Sequence, residues 1–104
     1  MREITAIELH AQLQQQEIYL LDVREPYEHE DFNIGGELIP LDEVMSKASN
    51  IPKDKPVIVY CKKGIRSQIA IQRLQEKFGF TNLVNLKGGM DAWKKSVGSL
   101  KRPE

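Results

Sequence analysis

Val57-Ile58-Val59-Tyr60 is a run of four apolar or aromatic residues set between Pro56 and Cys61. It is too short for a stable helix and does not alternate with polar residues, so it reads as a strand covered on both faces. Ile18 to Leu21 reads the same way. Strands of this kind need helices above and below them, which predicts a mainly parallel sheet in an α/β fold. The intervening segments supply those helices. Thr5 and Glu8 form a capping box for a first helix. Pro26 suits the first turn of a second, short one. A third is expected from Ser67 to Phe78, ended by Gly79, and a last one contains Trp93. Glu37 to Leu41 and Asn82 to Leu86 are expected strands, Gly35-Gly36 a turn, and Asp42 the cap of a further short helix.

The strand at 57–60 ends in the chain's single cysteine. In an open α/β sheet, ligands bind beyond the carboxyl ends of the strands. Cys61 is followed by Lys62, Lys63, Gly64, Ile65, Arg66 and Ser67 and then a helix. Such a loop can turn backbone N–H groups toward the sulfur, the helix start adds partial positive charge, and Gly64 permits the bend. Lys62, Lys63 and Arg66 act in the same direction. The setting favours a thiolate and an anionic ligand, whereas a cysteine kept only for packing has no need of a cationic turn.

Composition bounds the remaining choices. The 104 residues carry 15 basic and 15 acidic side chains, so no global charge calls for nucleic acid or an anionic membrane. No apolar run approaches the roughly 20 residues of a membrane span, and the N-terminal segment lacks a signal-peptide core. One cysteine excludes an internal disulfide, and a cytoplasmic setting is the simplest expectation. Two scattered histidines, His10 and His29, offer no metal-ligand pair and read as exposed residues outside any catalytic motif. No nucleotide fingerprint follows the early strand. The expectation is therefore no metal and no cofactor. Locally, charge is segregated: residues 22–43 hold eight acidic side chains against Arg24, and residues 47–66 hold six basic ones against Asp54.

Three segments in order, LLDVREPYEHEDFNIGGELIPL, VIVYCKKGIRS and LKGGMDAW, resemble the rhodanese-like family of sulfurtransferase domains over nearly the whole chain. The resemblance implies a central, mainly parallel five-stranded sheet in one domain over residues 1–97, with 98–104 as a flexible tail. It implies that Cys61 is a persulfide-forming nucleophile and that Lys62, Lys63, Gly64, Ile65, Arg66 and Ser67 bind the sulfur and its anionic donor. Asp22 matches a position beneath the loop and is expected to support it. Arg24 and Glu25 are expected to form local ion pairs, and Gly88, Gly89 and Trp93 to serve a turn and the core. The family's usual Gly-His-Ile-Pro-Gly is replaced by Phe32-Asn33-Ile34-Gly35-Gly36, which bears on a local turn and not on the nucleophile.

Related folds host phosphatases and arsenate reductases with five residues between cysteine and arginine, where this chain has four. The shorter loop suits sulfur better than a phosphate monoester. The resemblance thus implies sulfur transfer from thiosulfate or a persulfide donor to a thiophilic acceptor, with a sulfur-relay protein as a possible partner. The rival readings are a binding module that has kept the fold without the chemistry, and a phosphatase or arsenate reductase.

Overall fold

The computed structural model describes residues 1–100. Five strands form one parallel sheet: β1 (Glu3–Ile4), β2 (Tyr19–Asp22), β3 (Glu37–Leu38), β4 (Val57–Tyr60) and β5 (Leu83–Leu86), in the spatial order β1-β5-β4-β2-β3. Four α-helices connect them: α1 (Ala6–Leu13), α2 (Pro26–Asp31), α3 (Ile65–Phe78) and α4 (Gly89–Leu100). Strand β4 is central and pairs on both sides, Val57 to Tyr60 with Tyr19 to Asp22 and Val57 to Val59 with Leu83 to Asn85. That position explains its unbroken apolar run.

Successive residues of β4 face opposite layers. Val57 and Val59 pack with Ala70, Ile71 and Leu74 of α3 and with Val44, Ala48 and Ile51. Ile58 and Tyr60 pack with Ala6 and Leu9 of α1 and with Met90, Trp93 and Val97 of α4. Each layer buries several large side chains at roughly 1.5–3 kcal/mol apiece, so neither face of the sheet is left to solvent.

The structure shifts some sequence-based boundaries. β1 is a strand of two residues and left no pattern to read. β3 stops at Leu38, although the N–H groups of Ile39 and Leu41 still donate to the Asp22 and Val23 carbonyls at 2.9 and 3.0 Å, and Pro40 between them faces the free edge of the sheet. Asp42 caps nothing: it lies inside a 3₁₀ turn, Leu41–Glu43, that Pro40 precedes. The Phe32–Gly36 segment closes through Asn33, whose side-chain oxygen accepts from the Gly35 N–H at 2.8 Å. Helix α3 starts two residues before the expected Ser67. The backbone of α4 continues past residue 97 to Leu100, and the rest of the expected tail, 101–104, lies outside the described residues.

Candidate active site

The early start of α3 determines what surrounds the cysteine. Gly64 is the N-cap, with φ at +89°, and has no side chain to cap the helix. The Cys61 sulfur takes that role. Sγ accepts the Gly64 N–H at 3.1 Å and the Ser67 N–H at 3.3 Å, and the Ser67 hydroxyl lies 3.4 Å away. The first turn of a helix leaves its donors without intrahelical partners, and here two such N–H groups converge on one sulfur. Cys61 is itself almost wholly buried, but it reaches the floor of a cleft of about 220 Å³ lined also by Lys62, Lys63, Ile65 and Arg66.

A second helix start holds the loop from the other side. The N–H groups of Met90 and Asp91 donate to the carbonyls of Cys61 and Lys62 at 2.8 and 2.9 Å. Close approach depends on Gly89, at φ +58°, where a Cβ would stand 2.6 Å from the Lys62 carbonyl carbon. The Gly88-Gly89 pair is thus part of the loop's support as well as a turn.

The cations at the rim all have partners. Lys62 Nζ lies 3.0 Å and Lys63 Nζ 3.9 Å from the Asp91 carboxylate. The Lys62 hydrogen bond holds the Asp91 carboxyl below its ordinary value. Arg66 donates twice to Glu28, at 2.8 and 2.9 Å. That bidentate contact holds the Glu28 carboxyl down at about 2. The acidic and basic stretches of the sequence therefore meet at the loop. Ile65 points outward and is largely exposed.

Asp22 does not hydrogen-bond to the loop. Its carboxylate accepts from Arg24 Nε and Nη2 at 2.9 and 2.8 Å and from the Arg24 N–H at 3.0 Å, and its Oδ2 lies 2.8 Å from His29 Nδ1. Burial pushes this carboxyl up, but the bonds from Arg24 and His29 outweigh it and leave it below the ordinary value. Asp22 thus ties the end of β2 to Arg24 and to His29 of α2. The two histidines are not free surface residues. His29 is partly buried on Asp22, and His10 stands edge-on to Trp93. Arg24 forms the expected ion pair. Glu25 instead precedes α2 and donates its N–H to Glu28 at 2.9 Å.

Glu28, Asp91 and Asn85 are the site residues that the sequence did not single out, and Gly89 was read only as part of a turn. The 28–66 and 62–91 pairings span 38 and 29 residues; the opposite charges of the two stretches hinted at the first, whereas Asp91 lies outside both. A second cleft, of about 310 Å³ between Met45, Lys53, Phe78 and Phe80, shares no lining residue with the loop.

Comparison with known proteins agrees with this geometry. The family model for the rhodanese-like domain matches residues 5–96. The chain is 45% identical over 75 residues to the uncharacterized protein YqhL of Bacillus subtilis, covering 71% of this chain and 59% of YqhL. It is 32% identical over 94 residues to the thiosulfate sulfurtransferase GlpE of Coxiella burnetii, covering 89% of this chain and 87% of GlpE. The crystal structure of a rhodanese-like domain protein from Staphylococcus aureus superimposes with a TM-score of 0.81 at 29% identity, covering 89% of this chain and 91% of that one. With the sheet order, the cysteine cradle at its carboxyl end and a family match running from the cap of α1 into α4, the chain belongs to the rhodanese-like domain family.

Proposed function

We propose that the protein is a sulfurtransferase in which Cys61 carries a sulfane sulfur as a persulfide. The observation that supports this most is the pair of N–H groups, from Gly64 and Ser67, directed at a sulfur on the floor of a small cleft. The Cys61 thiolate attacks the outer sulfur of thiosulfate, a sulfur–sulfur bond forms to the enzyme, and the original sulfur–sulfur bond breaks. Its electron pair leaves with sulfite, which is stable as an anion and needs no general acid. A thiol or cyanide then attacks the outer sulfur, and the Cys61 thiolate departs. Lys62 and Lys63, both largely exposed, draw the anionic donor in, and the loop from Gly64 to Ser67 holds the sulfur.

Cys61 is the only cysteine in these 104 residues, so the acceptor comes from outside them, as a small thiol or a partner's thiol. That fits a relay in the cytoplasm, where thiols stay reduced. A phosphatase reading is less well supported. A phosphate would need the loop's guanidinium, and Arg66 already binds Glu28 through both terminal nitrogens.

Intact mass spectrometry after incubation with thiosulfate tests the proposal. One sulfur atom is expected to add to the wild type and none to Cys61→Ser. A wild type that takes up no sulfur from thiosulfate or a persulfide donor, or that cleaves an aryl phosphate faster than it transfers sulfur, sinks it.

A further inference from the structure

Asn85 is a fully buried polar residue in the otherwise apolar strand β5. In the parallel register it stands beside Glu3 of the edge strand β1. Its Nδ2 donates to Glu3 Oε2 at 3.1 Å, and its Oδ1 accepts from the Ser67 hydroxyl, whose oxygen lies 3.4 Å from Cys61 Sγ. Four side chains from β1, β5, α3 and the end of β4 thus form one continuous chain, from an exposed carboxylate to the buried sulfur.

We propose that Glu3 and Asn85 are positioning residues that set the polarity of the Ser67–Cys61 contact. A carboxylate can only accept, so the Asn85 amide must turn its nitrogen toward Glu3 and its oxygen toward Ser67. That oxygen in turn takes the only proton of the Ser67 hydroxyl. Only lone pairs of the hydroxyl remain for the sulfur. A Cys61 thiol can donate into them, whereas a thiolate meets them without a proton between. The Gly64 and Ser67 N–H groups attract charge to Sγ, and the side chain of Ser67 opposes it there. On the sulfurtransferase reading, on which this consequence alone rests, a persulfide carries its charge on the outer sulfur, one bond removed from the hydroxyl. The chain then favours the loaded state over the bare thiolate.

Replacing Glu3 by glutamine lets every bond reverse. The new amide can donate to Asn85, Asn85 can turn its nitrogen to Ser67, and the Ser67 hydroxyl can donate to the sulfur. The other charged groups facing Cys61 are Lys62 and Lys63 on its own loop, Arg66 on α3 with its partner Glu28 on α2, and Asp91 on α4. Asp22, at the end of β2, is engaged by Arg24 and His29. Glu3 shares its surface with Arg2 and Glu8. None of these changes in the variant.

The experiment follows the rate of Cys61 alkylation by iodoacetamide against pH in wild type, Glu3→Gln, Ser67→Ala and the double variant. The midpoint in Glu3→Gln is expected to move to lower pH by about 1, the worth of one hydrogen bond to a charged group. In the Ser67→Ala background the same substitution should move it by a few tenths at most, the share of bare charge. Equal shifts in both backgrounds, or none in Glu3→Gln, would overturn the proposal. Should Ser67→Ala fail to fold, Glu8→Gln supplies the comparison, since it removes a neighbouring carboxylate outside the chain; a shift equal to that of Glu3→Gln has the same overturning force. Alkylation needs no sulfur donor, so this test and the mass measurement above can fail independently.

Discussion

Two arginine–carboxylate pairs stand close to the cysteine, and they are built for different ends. Arg24 and Asp22 are both buried behind the strand ends. The Arg24 Nη2 also donates to the Phe32 carbonyl at 2.7 Å, and its guanidinium lies 5.4 Å from the centroid of the Tyr60 ring. Arg66 and Glu28 are also joined by two hydrogen bonds, here through both terminal nitrogens, but sit at the rim, with Arg66 about one third exposed. Inside, a lost partner strands a charge that water cannot reach. At the rim, water replaces the partner and the freed charge faces the cleft. The same chemical pair therefore secures the fold in one place and sets the charge of an entrance in the other.

The largest effect is expected from Asp22→Ala. It leaves the buried Arg24 guanidinium without its carboxylate and should cost about 3–5 kcal/mol in urea unfolding. A loss under 1 kcal/mol would mean that Arg24 swings out to solvent and that the two pairs do not differ in kind. Glu28→Gln should cost only about 1 kcal/mol, because a rim pair is screened. It should also raise the rate of sulfur loading from thiosulfate several-fold, with the gain lost at high salt. Slower loading instead would show that Glu28 holds Arg66 where the donor needs it.

A smaller effect lies in the acid limb. Glu28 titrates at about 2 in the folded protein against an ordinary 4.5. A carboxyl lowered on folding stabilises fully above its unfolded value and loses that contribution as pH falls through the folded one. The stability difference between wild type and Glu28→Gln should therefore shrink between pH 4.5 and 2. Urea midpoints measured across that window test this, and a difference that persists at its acid end would mean that the Arg66 bond is not what holds the carboxyl down.

The elements legible in the sequence were those whose signal is local. The apolar run at 57–60, the Thr5–Glu8 box, Pro26 at the start of α2 and Gly79 at the end of α3 each act within a few residues, and each stands where expected. The motif around Cys61 was legible too, because loop, strand end and helix start are contiguous. What the sequence could not show was where charged and polar side chains find partners. Arg66 was read as a donor for the ligand, and folding brings α2 across to pair it with Glu28. Asp22 was read as support for the loop, and its neighbours α2 and Arg24 take its hydrogen bonds instead.

The sequence by itself determined the layered α/β framework and the identity of the cradle residues, because hydrophobic period, helix caps and turn glycines are properties of adjacent residues. Only the tertiary structure decided that every rim cation has a carboxylate and that a buried asparagine joins Glu3, 82 residues away, to the serine beside the sulfur. A hydrogen bond depends on a separation of about 3 Å and on which atom carries the proton. Neither is written in residue order until the strands have taken their places in the sheet.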